Sequence, residues 1–181
     1  WCHFEEADDF AESVHYQRGY ILCNDCHGGL PYEDDEEIAK APQTGFIGKP
    51  ERGDVAEICA QCHAGPADFF AQGPHREWLN EDNPTCITCH SNHKVFDANL
   101  ALMDVTCSEC HDEWSAALDQ GQKIKVELEV VAEHLQRVGR VVDSLVVVDR
   151  SVRKARLFVE DAWGVLRGAD AATHALDVGV I

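Results

Sequence analysis

Four stretches of the chain repeat one pattern, two thiols three positions apart followed at once by an imidazole. They read Cys23-Asn24-Asp25-Cys26-His27, Cys59-Ala60-Gln61-Cys62-His63, Cys86-Ile87-Thr88-Cys89-His90 and Cys107-Ser108-Glu109-Cys110-His111. On one helical turn the two sulfurs can reach the two vinyl groups of a single porphyrin as thioethers, while the adjacent His turns its imidazole to the iron from the proximal side. Zinc and iron–sulfur sites also use Cys-x-x-Cys, but they do not require His directly after the second Cys. With 10 His in 181 residues, four hits out of four would arise by chance on the order of once in 100,000 trials. Thioredoxin-type dithiols fit less well, since no βαβ pattern surrounds any of the pairs. The spacing points to covalently attached haem c.

The ninth cysteine lies in Trp1-Cys2-His3, which reads as the end of a fifth motif whose first Cys would stand two residues ahead of Trp1. A haem held by Cys2 through one thioether, and a coincidental Cys-His pair, are the alternatives. The expectation is at least four haems, and five when His3 joins His27, His63, His90 and His111 as a proximal ligand. Five histidines then remain, His15, His75, His93, His134 and His174, so every iron can have a second axial nitrogen. His15 precedes Cys23 in Ser13-Val14-His15, His75 follows Gly73-Pro74, and His93 closes the string Cys89-His90-Ser91-Asn92-His93. His134, beside Leu135, and His174, in Ala171-Ala172-Thr173-His174-Ala175-Leu176-Asp177, serve only if their segments fold back onto the haem half; a lone His is often a plain surface or core residue. Met103 is the single methionine. At most one haem can therefore be His/Met, and the set should be mostly low-potential, low-spin and closed to added ligands.

Other features carry less chemistry. Glu33-Asp34-Asp35-Glu36-Glu37 offers oxygen ligands for calcium, though an acidic run in a Gly and Pro-rich loop is usually just solvated. Trp1, Trp78, Trp114 and the Phe69-Phe70 pair are expected to pack on porphyrin edges rather than relay electrons.

Two unlike halves must position these groups. Residues 1–111 contain every Cys and every Pro, with turns at Gly28-Gly29-Leu30-Pro31, Gly48-Lys49-Pro50, Gly65-Pro66, Gly73-Pro74 and Asn83-Pro84 that leave room only for short helices. Such a half cannot build an ordinary core. Shared among five haems, it offers about 22 residues each, so the haems must form each other's walls. Residues 112–181 lack Cys and Pro and carry a helical stripe: Ile124, Leu128, Val131, Leu135, Val138, Val142, Leu145, Val148, Val152, Ala155, Val159, Ala162 and Leu166. The stripe predicts one helix of about 40 residues and 60 Å, or, preferably, a hairpin turning near Gly139 or within 143–149, since an isolated stripe of Val and Leu needs a partner. A second copy of the chain could supply that partner instead. The run Val146-Val147-Val148 mildly weakens helix there. The fold class expected is mainly α with much irregular structure: a haem-packed part over 1–111 with little regular structure, then a long helix or helical hairpin over 112–181 able to supply distal ligands.

The 33 acidic and 15 basic side chains give a formal charge of -18. Nucleic acid is a poor partner for such a chain, because phosphate binding needs Lys and Arg to replace counterions. No run of about 18 apolar residues is present to span a membrane, and no apolar export signal opens the chain. A signal, and the first Cys of the fifth motif, are expected to have lain upstream of Trp1.

These residues resemble the multihaem c-type cytochromes related to tetrahaem cytochrome c554 and the nitrite and hydroxylamine group. The resemblance runs through Ser13-Val14-His15 to Cys26-His27-Gly28 and from Gly73-Pro74-His75 through Pro84-Thr85-Cys86 to His93-Lys94-Val95, and more loosely to the tail Thr173-His174-Ala175-Leu176-Asp177. It implies close-packed haems, distal His drawn from far along the chain, terminal helices after the last motif, and a periplasmic or extracellular site of assembly. Nitrite-reducing members bind the catalytic haem through Lys or leave it open, whereas every motif here ends in His; the hydroxylamine-oxidising type adds a tyrosine crosslink, for which Tyr16, Tyr20 and Tyr32 offer no distinctive context. The expectation is an electron carrier rather than an enzyme, serving a redox protein or extracellular acceptor, with a homopolymer resembling extracellular cytochrome filaments as its more specific form. A small reductase or oxidase of nitrogen or sulfur oxyanions with one open haem is the alternative.

Overall fold

The structure, a computed structural model, describes residues 3–19, 21–76, 83–145 and 150–177. It is mainly α, and no strand occurs among the described residues. Eight short helices come first: α1 (Phe4–Ala11), α2 (Val14–Arg18), α3 (Cys23–His27), α4 (Glu36–Ala39), α5 (Val55–Ala60), α6 (Ala64–Gln72), α7 (Cys86–His90) and α8 (Leu102–Val105). Two long ones follow, α9 (Ala116–Ser144) and α10 (Arg150–Ala172). The contrast follows in part from the punctuation: Gly19, Gly28 and Gly73 directly follow α2, α3 and α6, whereas no Pro interrupts α9 after Ser115, whose Oγ caps it by accepting from Leu118 N–H at 3.2 Å.

The chain divides into two compact units, Trp1–Ala67 with Trp78–Asn99, and Asp68–Glu77 with Leu100–Ile181, the division falling within α6. In the first unit the segment after α7 is tied to α2. Val14 N–H donates to Val95 O at 3.0 Å, Arg18 pairs with Asp97 at 2.7 Å, and Lys94 pairs with Glu12. Ser13, wholly buried, donates to Phe10 O at 2.6 Å and caps α2 by accepting from Tyr16 N–H. Apolar side chains contribute little here, the buried ones being Ala41 and Val55.

In the second unit α9 and α10 lie antiparallel. Asp143 meets Arg156 at 3.1 Å, a Cβ on Gly139 would stand 3.7 Å from Val159, and Ile124, Leu128 and Leu166 form a core to which Leu100, Met103, Leu135 and Trp163 add. The hairpin expected from the stripe is thus present. Gly139 lies inside α9 rather than at the turn; α9 ends at Ser144 with Leu145 extended, and the run Val146-Val147-Val148 falls outside the described residues. The stripe does not stay inside throughout, because Val131, Val138 and Leu145 are nearly half exposed. Asp104 ties α8 to α9 through Lys125 and Gln122. Ile124 is 1% exposed, so Ile124→Ala should cost about 3 kcal/mol through lost burial and the cavity left; denaturant unfolding followed by helical circular dichroism measures it.

Candidate haem sites

Each of the four complete motifs is one tight turn. Cys23–His27 is α3 and Cys86–His90 is α7. His63 N–H donates to Cys59 O at 2.9 Å and His111 N–H to Cys107 O at 3.0 Å. Residues three and four apart on such a turn share a face, so the two thiols and the imidazole of each motif come from one side of one segment, as the thioether chemistry requires. None of the eight described cysteines is in a disulfide, and each is half-buried or exposed. Cys2 lies outside the described residues; His3 is exposed at the start of α1 beside Glu6.

The motifs of the first unit crowd together. Cys59 hydrogen-bonds Cys86, which holds the Cys59 thiol protonated and draws that of Cys86 down to about 7. Burial, then Asp25 and the nearby Cys62 and Cys23, push the Cys26 thiol up. The motif at Cys59–His63 thus stands next to both others, through Cys62 toward Cys26 and through Cys59 toward Cys86. In the second unit burial and Asp104 raise the Cys107 thiol, and Gly121 of α9 faces its sulfur at a Cβ position 3.7 Å away.

Three proximal imidazoles each face a histidine from a distant part of the sequence. Ring centroids are 6.0 Å apart for His27 and His93, 6.1 Å for His15 and His63, and 6.2 Å for His75 and His111, with planes 37°, 31° and 19° apart. A metal taking one nitrogen from each ring at about 2 Å separates the centroids by roughly 6 Å. Direct stacking of two rings would bring them closer. Burial lowers the basicity of His15, with His63 and Arg18 adding to it, and burial with His111 does the same to His75. Both are thereby favoured in the neutral form that binds metal. His27 Nδ1 lies 2.9 Å from Gly48 O, which fixes Nδ1 as the protonated nitrogen and leaves Nε2 able to accept a metal. His174 Nδ1 is fixed the same way by Ala171 O at 2.9 Å. His90 is half-buried and His134 exposed on α9, outside the three pairs.

Close backbone approaches set these positions. Gly28, directly behind His27, has φ +65° and would place a Cβ 2.0 Å from Gly45 O; Ile47 N–H donates to His27 O at 2.9 Å across the same approach. Gly28→Ala should destabilise this unit by about 3 kcal/mol or more, read as a lowered melting temperature with reduced haem at Cys23 and Cys26. Gly73, two residues before His75, would place a Cβ 2.8 Å from His174 O, so only glycine lets the two histidine-bearing segments approach this closely.

The remaining side chains fit a porphyrin better than a bare ion. Among the described residues no three His, Cys, Asp or Glu side chains gather where they could hold a metal, as tetrahedral zinc or a four-Cys cluster needs. Two facing imidazoles suffice when a porphyrin supplies four nitrogens. Arg76 Nη1 is buried without a hydrogen-bond partner beside His75, a cation suited to a propionate carboxylate. The sequence reading missed Arg76; its signal was a cation next to a candidate ligand in a segment poor in Lys and Arg. The acidic run is occupied locally, with Asp35 accepting from Glu37 and Ile38 N–H and Glu36 pairing with Lys40. Phe70 is buried and Phe69 half-buried, while Trp114 is 90% exposed; Trp1 and Trp78 lie outside the described residues.

No helix among the described residues is long and apolar enough to cross a membrane. No curated protein and no solved structure matches the chain. Residues 8–91 match the family model described as cytochrome c7 and related cytochrome c, a span that holds three of the four complete motifs. Over that span the chain is similar to a family of multihaem c-type cytochromes, and the similarity supports covalently bound haem and electron transfer.

Proposed function

We propose that the chain carries five haems c, mostly with two axial histidines, and passes electrons along them as a periplasmic or extracellular carrier. Haem supplies the one-electron chemistry at its iron; the protein supplies attachment, axial nitrogens and packing. The thioether residues are Cys23 and Cys26, Cys59 and Cys62, Cys86 and Cys89, Cys107 and Cys110, and, for the fifth haem, Cys2. The proximal ligands are His3, His27, His63, His90 and His111. The observation that carries the reading is the three imidazole pairs at iron-spanning separation, which support His93 opposite His27, His15 opposite His63 and His75 opposite His111. His134 and His174 are the remaining candidate distal ligands, and the tautomer fixed at His174 suits that role.

The adjacency of Cys26 to Cys62 and of Cys59 to Cys86 supports a contiguous set in which the haem of Cys59 and Cys62 lies between two others. Short steps between neighbours favour a conduit, and head-to-tail assembly of copies would extend it, in keeping with the resemblance to the cytochrome c554 group and to extracellular cytochrome filaments. An exported redox protein or an extracellular acceptor would receive the electrons.

Intact mass and electron paramagnetic resonance on the exported holoprotein test this together. Five haem masses, low-spin signals throughout and no shift on adding cyanide are expected. A stoichiometric high-spin ferric haem that takes up cyanide would overturn full bis-histidine ligation, and a mass for four haems would remove the fifth.

A further inference from the structure

The free end of the α9–α10 hairpin has a character unlike the rest of the chain. Residues 137–156 hold six Lys and Arg against two Asp, whereas the remaining residues hold nine basic and 31 acidic side chains. Asp143 and Arg156 neutralise one another within the hairpin. Arg137, Arg140, Arg153 and Lys154 stay exposed. Among them stand largely exposed apolar side chains: Val138 is 49% exposed, Val141 57%, Leu145 47%, Leu157 59% and Phe158 60%, with Lys154 over the Phe158 ring at 5.4 Å. Apolar groups ringed by one sign of charge mark an association surface rather than a solvated helix end. The main core lies elsewhere, at Ile124, Leu128 and Leu166, with Val142 the buried apolar residue of α9 nearest this end, and Ser144 lies about 24 Å along the helix from Leu128.

We propose that this basic, apolar tip docks onto the acidic haem-motif region of a second copy of the chain. Residues 1–111 carry 21 acidic and six basic side chains, so the haem-motif region of each copy is opposite in charge to its hairpin end. The two patches are different surfaces, which makes the contact heterologous; such contacts build open chains unless the rotation happens to close a ring. An anionic lipid surface would match the tip alone, but the large excess of acid elsewhere repels it. The inference deepens the assembly part of the function proposed above and rests on that reading for its purpose, not for its geometry.

The test is sedimentation velocity of the exported, haem-loaded full chain over a wide concentration range, at about 50 mM and about 500 mM NaCl, where the Debye length falls from roughly 14 to 4 Å. Species larger than a dimer that grow with concentration at low salt and dissociate at high salt are expected. The double charge reversal Arg153→Glu with Lys154→Glu should raise the concentration needed for association about tenfold or more, with haem mass and helical dichroism unchanged. Should that variant fold poorly, Arg137→Gln with Arg140→Gln should shift association in the same direction. A salt-insensitive monomer at all concentrations overturns the proposal, as does a closed dimer indifferent to the tip variants. Flotation of the wild type with phosphatidylcholine and phosphatidylserine vesicles, without self-association, also overturns it in favour of a lipid surface. Haem mass and low-spin signals from the same samples separate the two readings: a loaded, low-spin monomer sinks the docking surface and leaves the electron carrier standing.

Discussion

Produced where no haem is attached, the chain is expected to keep at most the helical hairpin α9–α10 and to lose the fold of its first unit. Ordering each residue costs on the order of 1–2 kcal/mol of backbone entropy, and burial of apolar surface at about 25 cal/mol per Å² must offset it. The first unit buries Ala41 and Val55 as its apolar core, which falls far short. Its fully buried groups include the polar Ser13 and Thr85, and Thr85 Oγ1 has no hydrogen-bond partner. Haem would supply the missing apolar area and, through its thioethers, cross-link each turn to the interior. The hairpin differs, because Ile124, Leu128 and Leu166 pack together with Leu135 and Trp163. Far-ultraviolet dichroism of the haem-free chain should fall to no more than the signal of these two helices, and amide exchange over 3–67 and 83–99 should be complete within the earliest time point. Native-like protection of that region without haem would refute this account of its stability.

The second expected result concerns the distal imidazoles. His75→Ala removes the ring facing His111 at 6.2 Å and should convert one haem equivalent from low-spin to high-spin, a site that then binds cyanide or added imidazole. His15→Ala should do the same opposite His63. The pairs lie in different units and share no residue, so the double variant should give two equivalents. Added imidazole at about 10 mM should restore the low-spin spectrum, because it replaces the lost nitrogen without its tether. A fully low-spin His75→Ala protein would show that His75 is not the ligand, whatever its position. The expected change is a whole haem's spin state, which neither a looser loop nor a small stability loss reproduces.

Much of the molecule was legible in the order of residues. The attachment motifs are local: thiols at i and i+3 and an imidazole at i+4 need one turn of backbone, and Cys23–His27 and Cys86–His90 form such turns. The short early helices and the hairpin were equally readable, since Gly, Pro and the 3.6-residue period act within a few residues of themselves. The outward turning of Val131, Val138 and Leu145 was not, because the stripe is wider than the core it meets. Which distal histidine serves which motif was also beyond the sequence. Every spare His looks alike from its neighbours, and the facing of His93 with His27, His15 with His63 and His75 with His111 depends on contacts between remote segments. Those contacts are Val95 O held by Val14 N–H in the first unit and the close approach permitted by Gly73 in the second. The four repeated pentapeptides were therefore readable because each is set within a single turn, whereas the facing of imidazoles from remote segments was decided by tertiary packing, because an axial ligand is specified by where its nitrogen lies in space and not by its place in the chain.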